Sequence, residues 1–178
     1  MKSQSRSTQL WGVMVTGLCA LWFAAPAGAT PLESWDDKIP NASQRFKVLT
    51  EFAGEAVLDR ETGLVWEKSQ DAGLVDWAGA TLACLNKETG DRKGWRLPSA
   101  PELASLVDPP SAEPAFSLPP GHPFTNVQGG VQWSATTVAS FTDSAYVVNF
   151  INGFVKTFPK GATIHYWCVR GPMQQSVY

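Results

Sequence analysis

Gly94-Trp95-Arg96-Leu97-Pro98-Ser99-Ala100-Pro101-Glu102-Leu103-Ala104-Ser105-Leu106-Val107-Asp108 is the stretch whose reading decides the fold. Trp95 to Leu97 reads as a short apolar strand, stopped by Pro98. Ser99 then opens a helix. Its S-x-x-E spacing with Glu102 is that of a capping box, in which the hydroxyl accepts from a first-turn amide and the carboxylate reaches back to the cap amide. Pro101 falls in the first turn, where its missing N–H leaves no bond unmade. Leu103, Leu106 and Val107 recur at i, i+3, i+4 and predict one apolar helical face. Asp108-Pro109-Pro110 ends the helix. Arg96, flanked by two apolar neighbours on a strand, is expected on the opposite side, toward a carboxylate such as Glu67 or Glu102.

Upstream, Glu55 to Asp59 and Leu64 to Lys68 are strand-like runs joined by Arg60-Glu61-Thr62-Gly63, a turn whose glycine accepts a positive φ. Phe46 to Phe52 is expected to be a first strand. Asp76 has the chemistry of an N-cap for a helix running to about Lys87. Trp77, Ala80, Thr81, Cys84 and Leu85 would share one face of that helix. Gly90 to Gly94 reads as a charged turn. Downstream, residues 109–130 lack any period and are rich in proline, and loops of that length inside a domain often carry function. Val131 to Thr136 reads as a strand. Ala145 to Ile151 and Phe154 to Phe158 flank Asn152-Gly153, a strong hairpin signal. Ile164 to Arg170 is the expected last strand.

Lys2 and Arg6, the apolar run Leu10 to Ala25 and the small-residue site Ala27-Gly28-Ala29 together read as a secretory signal peptide spanning 1–29. An uncleaved membrane anchor is the alternative, although the run is short of the about 20 residues of a spanning helix. Cleavage would leave 149 of 178 residues, enough for one domain, and no membrane span. It would also remove two of the 14 basic residues and none of the 16 acidic ones, so the charge falls from −2 to −4. With no basic run, nucleic acid is a poor partner. Residues 30–44 read as a linker or arm and 172–178 as a tail. Cys84 and Cys168 would remain as a pair in an oxidising compartment and are expected to form one disulfide. A redox or metal-binding thiol pair is the alternative reading.

Taken in order, several blocks resemble a known family. They are Thr62-Gly63-Leu64-Val65-Trp66-Glu67-Lys68, then Trp77 with Ala80 and Cys84, then Gly94-Trp95-Arg96-Leu97-Pro98 with Glu102-Leu103 and Leu106-Val107-Asp108. Trp133-Ser134-Ala135-Thr136-Thr137, Ala145-Tyr146-Val147-Val148-Asn149-Phe150 and Cys168-Val169-Arg170 follow. The chain is similar over about residues 45–171 to the bacterial domain family named after the C-terminal domain of the Legionella collagen-like adhesin. The resemblance implies an α+β, C-type-lectin-like fold with two helices packed on short antiparallel sheets. It also implies an exported protein, periplasmic, outer-surface or extracellular. Its function would be binding or adhesion, with a glycan or protein ligand at the cell surface met by loops. The Trp-Asn-Asp triplet of calcium-dependent sugar-binding lectins is missing, since Ser134-Ala135 follows Trp133.

Neither catalysis, a metal nor a cofactor is expected. His122 and His165 lack partners at ligand spacing. The carboxylate pairs Asp108 with Glu113 and Asp71 with Asp76 read as caps and solvated turns. Trp66, Trp77, Trp95, Trp133 and Trp167 read as core rather than as stacking platforms. The residues expected to meet a ligand are Asn126 and Gln128 on the 109–130 loop, Asp143 on a second loop from Thr137 to Asp143, and Tyr146. Two other readings stay open: a structural subunit of an envelope assembly, and an oxidase-type enzyme related to the formylglycine-generating branch of the same fold.

Overall fold

The computed structural model describes residues 38–108 and 118–171. The leader, residues 30–37 of the arm, residues 109–117 with Glu113, and the tail 172–178 lie outside the described residues. The elements in order are α1 (Ala42–Arg45), β1 (Phe46–Leu49), β2 (Ala56–Asp59), β3 (Val65–Glu67), α2 (Trp77–Leu85), β4 (Trp95–Arg96), α3 (Ala100–Leu106), β5 (Val131–Val138), β6 (Phe141–Asn149), β7 (Val155–Pro159) and β8 (Val169–Arg170). They form two antiparallel sheets, ordered β1-β2-β3-β8-β4 and β5-β6-β7. The last strand lies between β3 and β4, so the first sheet joins the two ends of the described chain.

The stretch around α3 forms as its chemistry dictates. Ser99 Oγ accepts from Glu102 N at 3.4 Å, and Glu102 Oε2 accepts from Ser99 N at 2.8 Å. Leu103 and Leu106 are fully buried in a cluster with Trp66, Trp167, Val148 and Phe150. Arg96 resolves onto Glu102, donating from Nη1 at 2.8 Å and Nη2 at 2.6 Å. One carboxylate thus caps the helix and ties it to β4. Burial pushes the Glu102 carboxyl up, but Arg96 and the Ser99 amide outweigh it and hold it below its ordinary value.

A second cluster gathers Trp95, Trp133, Ala80 and the disulfide beside β6. Trp66, Trp95, Trp133 and Trp167 are all at most 1 % exposed, so these four rings are core. Each such side chain contributes about 1.5–3 kcal/mol or more of burial free energy. Cys84 and Cys168 form the expected disulfide, with Cα atoms 5.4 Å apart. Cys168 directly precedes β8, so the bond ties α2 to the start of that strand.

Several elements differ from the sequence reading. Phe46 to Phe52 is a strand only to Leu49. Thr50–Phe52 is a 3₁₀ turn that ends on Ala53 in the left-handed region. The α2 helix stops at Leu85, which is exposed together with Leu82. Its buried face is therefore only Ala80 and Cys84, narrower than the five-residue stripe expected. Asn152-Gly153 does not make a two-residue hairpin turn. The β6–β7 pairing ends at Val148 with Val155, and Asn149 N donates to Phe154 O at 2.9 Å across a wider loop. The cause is Phe150, which turns inward and is fully buried. The two-residue turn is instead Ala139-Ser140, between Val138 and Phe141. Thr137 to Asp143 is thus mostly strand rather than loop. Of Ile164 to Arg170, only Val169–Arg170 is strand, preceded by isolated bridges from Ile164 to Val75 and from His165 to Gln132.

At the N-terminal edge, Asn41 caps α1 and Ala42 is core, so packing begins a turn before Arg45. Arg45 is buried and meets Asp59 through two bonds, Nε to Oδ1 at 2.9 Å and Nη2 to Oδ2 at 2.8 Å. It also donates to Ser105 O at 2.7 Å, which joins α1, β2 and α3.

Candidate functional site

The end of β3 leaves the sheet at Lys68-Ser69, and the loop 118–130 returns beside it. Thr125 N donates to Lys68 O at 2.7 Å, and Ser69 and Thr125 form a parallel bridge. Between this seam, the Gly54-Glu55 turn and the segment after α2 lies a cleft of about 400 Å³, lined by Gly54, Glu55, Glu67, Lys68, Ser69, Lys87, Thr89 and Thr125. That volume is within the range of small-molecule sites, about 300–1,000 Å³.

The floor of the cleft is an ion pair. Glu67 is buried at 2 % exposure, and its carboxylate lies 3.2 Å from Lys87 Nζ. Glu67 Oε1 also accepts from Thr89 Oγ1 at 2.9 Å, and Oε2 accepts from Cys168 N at 3.3 Å. Lys87 Nζ reaches Asp71 Oδ2 at 3.5 Å, and Tyr166 donates its hydroxyl to the same oxygen at 2.9 Å. The Gly73 amide holds the Asp71 carboxyl below its ordinary value, with Tyr166 and Lys87 adding to that pull against burial. Burial, and then the Asp71 carboxylate, push the Tyr166 hydroxyl well up. Glu55 Oε2 accepts from Gly90 N at 2.8 Å and so fixes the opposite wall.

The disulfide lies under this floor. Glu67 N donates to Cys168 O at 3.3 Å, and Lys87 N donates to Cys84 O at 3.1 Å. Each half-cystine therefore holds the backbone of one member of the Glu67–Lys87 pair.

Buried amides hold the loop. Gln70 Nε2 donates to Gln132 Oε1 at 2.7 Å and to Tyr166 O at 3.1 Å. Gln128 N donates to Gln70 Oε1 at 2.7 Å, and Gln132 Nε2 donates to Gln128 O at 2.9 Å. Buried polar groups satisfied in this way specify one arrangement, since each broken bond would leave a desolvated group unpaired.

Asn126 lies at the rim, exposed, with φ 55° and Nδ2 donating to Ser69 Oγ at 2.8 Å. Asparagine tolerates that left-handed backbone better than most residues. Gln128 Nε2 donates to Asn126 O at 2.8 Å, so these two expected ligand residues stand together beside the cleft. Asp143 and Tyr146 do not join them. Both are on β6, three residues apart, and side chains alternate along a strand, so they point to opposite faces. Gln132, next to Gln128, pairs with Val148, and Asp143 lies five residues further along that strand, about 17 Å away.

Glu55, Glu67, Lys68, Ser69, Lys87 and Thr89 were not among the ligand residues expected from sequence, where Glu67 figured only as a possible partner of Arg96. One signal was available: Glu67 directly follows the core residue Trp66 in a strand, and a carboxylate in that setting needs a partner. Of the other carboxylates considered, Glu113 lies outside the described residues and Asp76 is an N-cap. Asp76 Oδ1 accepts from Gly79 N at 2.7 Å as the α2 N-cap. Trp77 is half-buried, with Lys160 Nζ 4.1 Å above its ring. Among the described residues no group of three or more His, Cys, Asp or Glu side chains is arranged to hold a metal ion, and no helix is long and apolar enough to cross a membrane.

Chemically, the cleft offers hydroxyls, a carboxylate and ammonium groups to a polar ligand. Glu67 is already engaged by three donors, Lys87, Thr89 and the Cys168 amide. A family model described as the Lcl C-terminal domain matches residues 55–170, from the cleft's Glu55 to the end of β8. No curated protein matches the chain.

Proposed function

The chain belongs to the Lcl C-terminal domain family, its match covering well over half of the 178 residues, and on that premise we propose that it is an exported binding or adhesion module, not an enzyme. Its ligand, a glycan or a protein at the cell surface, is met at the polar cleft between Glu55, Lys87 and Thr125. The observation that carries this reading is the cleft itself: a disulfide-backed ion pair with its carboxylate buried, under a rim of exposed hydroxyl and charged groups. Family membership and the intramolecular disulfide point to a protein outside the cytoplasm. Cleavage after Ala29 would deliver it to the periplasm, the outer surface or the medium. We take the two-sheet, disulfide-bonded architecture to be of the C-type-lectin-like type, in which loops at one end of the sheets meet ligands.

A second reading, a structural subunit of an envelope assembly, is favoured by a different surface. Ile151, Phe154 and Val155 are exposed apolar side chains gathered at the loop end of the β6–β7 hairpin. Exposed apolar groups of this kind mark contact surfaces when they are contiguous. The test compares wild type with Thr125→Trp, which fills the cleft mouth at an exposed position, on a glycan array and in pull-downs from envelope extracts. Loss of all capture by Thr125→Trp, with unchanged thermal stability, supports the cleft. Capture that persists in Thr125→Trp and disappears in Phe154→Asp supports the assembly reading instead.

A further inference from the structure

The charge arrangement of the cleft narrows its ligand class, on the reading that the cleft is the binding site. We infer that it takes an uncharged, hydroxyl-rich ligand such as a neutral saccharide end, and discriminates against sulfated or phosphorylated ones.

The groups reaching the cleft surface are the hydroxyls of Ser69, Thr89 and Thr125, the carboxylate of Glu55, and the ammonium groups of Lys68 and Lys87. Lys87 is not free to neutralise an anion, because Glu67 at 3.2 Å and Asp71 at 3.5 Å already flank it. Glu67 cannot retreat, since its oxygens are bonded to Thr89 and to the Cys168 amide. An anionic group entering here would meet three carboxylates, Glu55, Glu67 and Asp71, against two ammonium groups. Lys68 is the one cleft cation with no carboxylate within ion-pair distance among the described residues, and Glu55 lines the same cleft. Sulfate and phosphate sites are instead built from converging cations and bidentate arginines, and no arginine lines this cleft.

A sugar hydroxyl suits this surface. Each hydroxyl both donates and accepts. Glu55 and the ammonium groups can therefore make charge-assisted bonds to it, which are stronger than neutral ones. No unpaired charge is buried in the process, so the ligand avoids the penalty a second anion would meet. Binding through such contacts depends little on ionic strength, unlike recognition of a polyanion.

The test is a pair of titrations of the ¹⁵N-labelled mature protein, one with neutral disaccharides (lactose, maltose, sucrose) and one with sucrose octasulfate. At least one neutral disaccharide is expected to shift the Ser69, Thr89 and Thr125 amides with Kd about 1 mM or tighter. Its affinity should change less than twofold between low salt and about 0.3 M salt. If sucrose octasulfate occupies the cleft in a salt-dependent way while the neutral sugars do not, the specificity inference falls and the cleft remains a binding site. If neutral sugars shift amides only elsewhere, or shift none at millimolar concentration, the inference is overturned. If the octasulfate also leaves these three amides unmoved, the cleft reading is overturned with it.

Discussion

Removing the disulfide is the perturbation whose consequences can be worked furthest. Cys84 and Cys168 are separated by 84 positions and close a loop of 85 residues, counting both ends (168 − 84 + 1). In the chain-entropy model a loop of that length loses about 15 cal/mol/K in the unfolded state, or about 4–5 kcal/mol at 25 °C. Cys84→Ser and Cys168→Ser should each lose that amount, and the double variant no more, because one bond is removed in all three. With a urea slope of about 2 kcal/mol/M, the midpoint falls by roughly 2 M. The same bond holds the backbones of Glu67 and Lys87, so the loss should reach the cleft. Amide exchange at Glu67 and Lys87 should accelerate in the folded single variants more than at Leu103, which packs in the other core cluster. The assay is urea unfolding by tryptophan fluorescence, with and without a thiol reductant, alongside hydrogen exchange. Reductant should bring unfolded wild type to the midpoint of the variants. Additive losses in the double variant, or a wild type whose refolding midpoint is unmoved by full reduction, would refute the reasoning.

Other perturbations act on separate features. Asp59→Ala should cost at the low end of about 3–5 kcal/mol, because it leaves the buried Arg45 guanidinium only the Ser105 carbonyl and Glu61 at 3.5 Å, whereas replacing both residues by apolar ones of similar size should restore much of that in chemical unfolding. Gly90→Ala should cost about 2–4 kcal/mol: its φ is +62°, and a Cβ there would stand 2.6 Å from Phe52 O. Both Asp71 and Glu102 titrate below their ordinary values when folded, so they stabilise the fold above those values. That contribution should be lost as pH falls through about 4.5 and below, with thermal midpoints dropping in a pH series, and Glu102→Gln should flatten the drop.

Much of the frame was legible because local chemistry and tertiary packing agree there. Ser99 and Glu102 form their capping box whatever surrounds them, and Leu103 and Leu106 need only an apolar neighbour. The cysteine pair followed from counting. Where the reading slipped, a tertiary contact overrode a local signal. Asn152-Gly153 favours a tight hairpin turn, but burying Phe150 widens the loop. Leu85 fits the helical stripe by spacing, yet Cys84 sets the rotation of α2 and turns Leu85 out to solvent. The cleft was the least legible part. Its walls come from four segments brought together by the Cys84–Cys168 bond and the Gln70–Gln132 amides, and no spacing along the chain announces that meeting. Asn126 and Gln128 were found because the loop bearing them is long and aperiodic. Asp143 and Tyr146 were placed with them only because the Ala139-Ser140 turn was not recognised.

The most direct measurement is a hydrogen-exchange footprint of the mature protein bound to envelope material from its own cells. The cleft account predicts added protection in three segments, 66–70, 86–91 and 124–128, which lie apart in sequence and meet around Glu67 and Lys87. Protection confined to 150–156, with those three segments unchanged, would contradict it.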